Sequence, residues 1–371
     1  MTIARIVIAT FVAALAPALV AGSAFGFAYE KYMGHPIKRK GASIGFYAGA
    51  LSYPEGSPQR GAFLLAQGRW NETPGNFTFG TPLWGAAKVK RYNGDSETWY
   101  TSDQGILKGR GAVCTSVNAY TIPAKIVEAD IFFDAAEPWY YTEARADSWA
   151  YGGTKSPFVN AALHELGHAF GLKHVNSIYN IMGTDGTHVT ANGGIFRAYV
   201  GEDAIEGQVF LYGENAGAGA DLSVSHWKYG WADGEYSAHI DTEIFPPGGN
   251  VRVAINGTRL QGRQVYRVKR GQPYDTEFTY ENNGVADEDG VDVGFYISTD
   301  ATITTADRKV RSFNIGKIGR GLPGTWRNRV DIPADLIAGQ VYYLGVIIDS
   351  DDSTGELVEQ NNAAFLPIHV L

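Results

Sequence analysis

The run His164-Glu165-Leu166-Gly167-His168-Ala169-Phe170-Gly171-Leu172-Lys173-His174 constrains this chain more than any other stretch. Its first two histidines stand four residues apart, which on an α-helix puts both imidazoles on one face about one turn apart. Two neutral imidazoles so placed can share one metal ion. Glu165, rotated by about a hundred degrees around the axis, sits where its carboxylate reaches a metal-held water without ligating the metal. Gly171 lets the backbone turn sharply, and His174 then returns to complete a three-histidine tripod. Three protein ligands leave a fourth position for water, which is the open coordination of a catalytic zinc rather than the closed shell of a structural one. Two histidines at this spacing also arise on ordinary amphipathic helices. The added glycine and third histidine separate the pattern from that arrangement.

Cys114 is the one cysteine in 371 residues. An intrachain disulfide, a Cys-based zinc cluster and a CxxC redox motif are thereby excluded, so a zinc must use histidines and carboxylates. A lone thiol in a chain of this kind reads as a small buried hydrophobe. The length allows two or three domains. With 44% hydrophobic, 13% aromatic and 19% charged residues, and 46 glycines, the chain is neither disordered nor collagen-like and expects many turns and strands. A balance of 31 Lys and Arg against 39 Asp and Glu offers no basic excess to a phosphate backbone, so no nucleic-acid partner is expected.

At the N-terminus, Arg5 precedes an uncharged apolar run over residues 6–28 that closes on the small residues Ala21, Gly22, Ser23 and Ala24. This is the order of a secretory signal peptide, assigned to residues 1–28 with cleavage near 24–28. A stretch of that length without charge is also long enough to span a bilayer as an uncleaved anchor. With cleavage, the mature protein is expected to be secreted, extracellular or periplasmic, and free of the membrane. No cysteine follows the run, so a lipid anchor is not expected.

Residues 29–60 mix Gly, Pro and the basic cluster Lys38-Arg39-Lys40 with little periodicity, and read as a mobile arm or short pro-segment. A short helix is expected from Gly61 to near Trp70, then strands AAKVKRY and ETWYTS around an Asn93-Gly94 turn. KIVEADIFFD at 125–134 alternates, with Val127, Ala129, Ile131 and Phe133 on one face and Glu128, Asp130 and Asp134 on the other, as a half-buried strand. Ser156 can cap the histidine-bearing helix with Pro157 in its first position, and Gly171 stops it. A second helix is expected over 203–212, ending at Gly213. Helical periodicity ends near 215, and short β-branched and aromatic runs follow to the C-terminus.

On these residues the chain resembles the metzincin zinc metalloproteases, named for the zinc motif and for a methionine in a tight turn below the metal. Met182, eight residues after His174, stands where that methionine is expected. The ADIFF strand before the zinc helix and the LYG-ending helix after the turn are similar to the bacterial matrixin branch, and the resemblance covers about residues 60–215. Two features depart from related patterns. Thr184 stands where the astacin and serralysin branches carry a ligating tyrosine, and Val175 is not one of the residues that mark individual branches. Cys114 lies inside the resembling stretch, so a pro-segment cysteine switch is not expected. The resemblance implies His164, His168 and His174 as zinc ligands, Glu165 as general base and acid, and a protein or peptide substrate lying extended along a sheet edge above the zinc helix. Loop residues 184–202 are expected to line the pocket beside the zinc.

Residues 259–371 carry NNGVADEDGVDVGFYISTD, IPADLIAGQVYYLGVIIDSDD and a closing EQNN. Val291, Val293, Phe295 and Ile297 alternate as one inward face, and Val341, Tyr343, Gly345 and Ile347 as another, which reads as a seven-strand-type sandwich. This part resembles the bacterial CARDB immunoglobulin-like domains, which implies a binding or spacer role with a surface or polymer ligand. The acidic loops at Asp287, Glu288, Asp289 and Asp292, and at Asp349, Asp351 and Asp352, have oxygens enough for Ca²⁺ but no EF-hand spacing, and read first as solvated turns. The expected fold is therefore α+β: signal peptide 1–28, arm 29–60, metzincin-like zinc protease domain 61–215, β-rich connection 216–258 and immunoglobulin-like sandwich 259–371. The expected function is a secreted zinc metalloendopeptidase. Its rivals are an adhesion or surface-binding protein on a protease-like scaffold, and a zinc hydrolase of non-protein amides.

Overall fold

A computed structural model describes residues 26–183, 186–257 and 259–371. The signal-peptide assignment rests on residues that lie almost wholly outside these, as does Thr184. No described helix is long and apolar enough to cross a membrane. The chain is mixed α+β, mostly strands, with four α-helices among the described residues.

The first half is built on a sheet of six strands: β1 (Lys38–Arg39), β2 (Tyr47–Ala48), β3 (Leu83–Trp84), β4 (Glu97–Thr101), β5 (Ala112–Ala119) and β6 (Lys125–Asp134). They run in the order β5-β6-β4-β2-β3, with β1 also pairing β6. All pairings are parallel except β5 on β6, which leaves antiparallel β5 as a sheet edge. Helix α1 (Pro58–Asn71), the short α2 (Gln104–Leu107), α3 (Phe158–Phe170) and α4 (Glu202–Tyr212) complete this half. Phe63, Trp70, Phe133, Phe158, Leu163 and Phe170 are fully buried in one core between sheet and helices. The Trp70 indole donates to the Leu163 carbonyl at 3.0 Å, which ties α1 to α3.

Several local expectations change. Residues 29–60 are not a detached arm: Ile37, Ile44, Phe46 and Tyr53 are buried in the core and β1 and β2 belong to the sheet. Their apolar residues are too few and too scattered to show a period, because each two-residue strand gives its burial to a different neighbour. Residues 86–92 form no strand. Val89 and Tyr92 have positive φ, and the loop wraps two carboxylates, with Lys88 N–H donating to Glu97 and the Tyr92 and Gly94 N–H groups to Glu128. Glu128 and Asp130 are consequently buried, Asp130 accepting from Glu97 N–H at 3.0 Å, and β6 is covered on both faces rather than half-buried. Val127, placed on the inner face by alternation, is exposed.

The second half is two sheets packed on a second core. One holds β7 (Leu222–Ser225), β10 (Ile244–Phe245), β12 (Pro273–Asn282) and β15 (Gly324–Asp331), with β12 central to it. Between β7 and β10 a hairpin, β8 (Trp227–Asp233) and β9 (Tyr236–Asp241), stands apart. The other sheet runs β11 (Tyr266–Val268), β17 (Ala363–Val370), β16 (Val341–Ile348), β13 (Asp292–Ser298) and β14 (Arg308–Asn314). Phe278 of the first sheet meets Phe295 of the second at a ring distance of 6.2 Å. Val291, Val293, Phe295 and Ile297 are buried as their alternation implies. In β16 the expected face is inverted: Tyr342, Leu344, Val346 and Ile348 enter the core, while Tyr343 and Ile347 pack outside it against Ile303 and Phe365. Both faces of that strand are apolar, so alternation alone could not choose between them.

Candidate metal centre

Helix α3 supplies two of the three histidines. Its N-cap is Pro157 rather than Ser156, whose hydroxyl instead donates to Glu137. Pro157 carries no side-chain acceptor, so the first turn of the helix has no side-chain cap. At the other end Gly171 has φ of +131°, and a β-carbon there would stand 2.9 Å from the Ile37 carbonyl oxygen. Glycine alone fits this exit, and the exit carries the chain to His174.

The three imidazoles converge. His168 Nε2 lies 3.1 Å from His164 Nε2 and 3.0 Å from His174 Nε2. Their other nitrogens are engaged outward: His164 Nδ1 donates to the Ile181 carbonyl at 2.9 Å and His168 Nδ1 to the Leu172 carbonyl at 2.8 Å. His174 Nδ1 lies 3.2 Å from Glu235 Oε2. The carbonyls that meet His164 and His168 can only accept, so their protons sit on Nδ1, and the Glu235 carboxylate near His174 Nδ1 favours the same tautomer, which leaves three Nε2 lone pairs facing one another. Three nitrogen lone pairs turned to one point are the arrangement that can hold a shared cation. Among the described residues this is the one cluster whose ligand atoms meet the geometry of a metal site, and the donor set, all imidazole, suits zinc. Burial, then the neighbouring His164 and Arg110, pushes the His174 imidazolium down to about 3, and burial drives His168 well below its ordinary value, so both are neutral near pH 7 as ligands must be.

Glu165 sits on the same helix and is buried. It is close enough to Cys114 on β5 to raise the thiol's pKa, after burial, which is the larger cause. Cys114 is thus a partly buried, protonated side chain. Met182 is buried below the helix: a β-carbon on Gly167, between the two helix histidines, would stand 2.5 Å from its sulfur. Val175 N–H donates to the Met182 carbonyl at 3.2 Å, closing the turn that follows His174.

Two residues at this site have no counterpart in the sequence reading. Glu235 and Tyr236 lie at the β8–β9 turn, where the Tyr236 ring is 4.5 Å from that of His174. The Asp233-Gly234 pair between aromatic runs is a hairpin signal. It does not say where the hairpin tip lands. Of the loop residues 184–202 expected to line the pocket beside the zinc, 186–202 are described. They form a hairpin, Val189–Asn192 with Ile195–Ala198, that faces the second half, Thr190 Oγ1 donating to the Ala363 carbonyl at 2.8 Å. The acidic loops are held by local partners. Asp287 pairs with Lys317 at 2.5 Å, Ser350 donates to Asp292 at 2.5 Å, and Asp349 accepts from Ser353 and Thr354.

Residues 91–192 match the family model of the matrixins, a stretch that contains all three histidines, Glu165 and Met182. No curated protein matches the chain. Among solved structures, the chain is similar to the CARDB domain of a Pyrococcus furiosus protein in complex with di-metal ions, at 14% identity and TM-score 0.25 over 41% of this chain and 90% of that one. A solution structure of the same domain gives 16% identity and TM-score 0.25 over 42% and 97%. An alkylpurine DNA glycosylase of Pseudomonas fluorescens, bound to DNA with an abasic site analog, gives 13% identity and TM-score 0.19 over 34% and 30%.

Proposed function

We propose that this matrixin-like chain is an exported zinc endopeptidase, with His164, His168 and His174 as the metal ligands and Glu165 as the proton-transfer group. The observation that carries the reading is the convergence of three Nε2 atoms whose Nδ1 partners all face acceptors. A bound zinc supplies Lewis acidity that makes water a nucleophile near neutral pH and polarises the scissile carbonyl. Glu165 takes a proton as the peptide bond is attacked and returns it to the departing amine. The free edge of β5, beginning just after Arg110, offers main-chain N–H and C=O groups to an extended peptide, which aligns a scissile bond without demanding sequence. Burial of Glu165 beside the histidines keeps the proton transfer away from bulk water. Residues 1–28 act as the export signal, 29–215 as the protease half and 216–371 as the β half, which binds a surface or polymer near the substrate.

Casein cleavage tests this. Replacing Glu165 with Ala should lower the rate about 100- to 10,000-fold while zinc stays bound, and a chelator should abolish cleavage. Cleavage that survives Glu165→Ala, or a zinc-loaded parent chain that cuts no protein, would contradict it, the second favouring the surface-binding reading.

A further inference from the structure

His164 is oriented by the backbone carbonyl of Ile181, in the turn below the helix, and His168 by that of Leu172, just past the Gly171 exit. His174 differs: its Nδ1 faces a side chain, Glu235, that comes from the β8–β9 hairpin, beyond the stretch that matches the matrixins. The same Glu235 oxygen, Oε2, also accepts from the Arg110 guanidinium at 3.1 Å, and Arg110 stands just before the edge strand β5. The hairpin is pinned over the metal side of the molecule at three further points. Asn176 Nδ2 donates to the Gly234 carbonyl at 2.8 Å, Ser237 N–H donates to the Gly183 carbonyl at 3.1 Å, and the Tyr236 ring packs on His174. The first two bonds anchor the tip to residues that flank His174 and Met182.

We infer that Glu235 is a positioning residue of the metal centre: held by Arg110, its carboxylate fixes the His174 ring with Nε2 turned to the metal, so that a hairpin of the C-terminal half completes the site. This rests on the three histidines being zinc ligands. A carboxylate on the far nitrogen fixes the tautomer, holds the ring plane and makes the ligand more basic, and losing such a partner typically weakens metal binding about 10- to 100-fold. His174 needs this help most. It follows the helix rather than lying on it, so only the Gly171 exit and the residues facing its ring define its direction.

The test is zinc affinity of the full chain, read by competition with a chromophoric chelator. Glu235→Ala should raise the zinc dissociation constant about 10- to 100-fold, and Glu235→Gln, whose amide oxygen still accepts from Nδ1–H, should recover most of that loss. Arg110→Ala should cost less than Glu235→Ala, since Arg110 steadies Glu235 while its own positive charge near His174 opposes a cation there. Asp233→Asn removes a charge from the same turn without touching His174 and should leave affinity unchanged. At saturating zinc, Glu235→Ala should keep the parent KM for a casein-derived peptide. An unchanged zinc constant in Glu235→Ala, or an equal loss in Asp233→Asn, would overturn the inference while leaving the zinc reading standing. A parent chain that binds no zinc would overturn the zinc reading itself, and this inference with it.

Discussion

Asp221 is a buried carboxyl at the junction of the two halves, where Asn361 Nδ2 donates to it at 3.1 Å. Burial pushes it up to about 7, against the smaller opposing pull of Asn361 and Arg197. Its neighbour Glu356, which accepts from Leu222 N–H at 2.6 Å, is pushed to about 8 by the same cause. Carboxyls of the unfolded chain titrate near 4. A folded value above the unfolded one means that the stability these groups contribute is complete below about pH 4 and is lost as pH rises to about 7 or 8. Buried His226 and His239, whose charged forms are disfavoured by burial, act oppositely as pH falls below 6.5. The residue's own contribution is therefore read as a difference. Relative to the parent, Asp221→Asn should gain stability progressively between pH 5 and pH 8 in urea denaturation, and a constant difference across that range would refute the assignment. Buried carboxyls were the least legible residues in the sequence. Glu128 and Asp130 read as a solvated face because alternation cannot show that backbone N–H groups of the 91–97 loop stand ready to satisfy them.

At the scale of elements, legibility followed length. Helix α3, strand β6 and helix α4 stand within a few residues of their expected positions, since each sustains a period for ten residues or more. The two-residue strands and the β8–β9 tip were not legible, because their places are set by partners far along the chain. The metal site divides the same way. His164 and His168 are fixed by helical spacing and His174 by Gly171, whereas Glu235 arrives from a hairpin 61 residues later. The close packing of α3 on the Met182 turn leads to a prediction about these two elements. Gly167→Ala puts a methyl group against the Met182 sulfur and should force the helix and turn apart, costing about 1–3 kcal/mol of stability and lowering zinc affinity with it. Met182→Ala in the same chain should restore part of both by making room. If Gly167→Ala is as stable as the parent, the methionine does not bear on the helix as described.

The whole molecule is two cores joined by a polar seam. His188 Nε2 lies 3.3 Å from Glu281, Glu202 N–H donates to the same carboxylate, and Asn282 N–H returns a bond to Glu202 at 2.6 Å. Tyr179 donates to Ser225 at 3.0 Å from the turn that follows the third histidine. The β half is thus bonded to the matrixin-like half, and the β8–β9 hairpin that reaches His174 is part of that junction. The central claim is that three histidines of this body hold one zinc that cleaves peptide bonds. The most direct measurement is the zinc-to-chain ratio of the purified full chain, taken together with casein cleavage on the same preparation and on a His168→Ala variant. The account predicts one zinc per chain with cleavage in the parent, and loss of both in the variant; a zinc content unchanged by His168→Ala would contradict it.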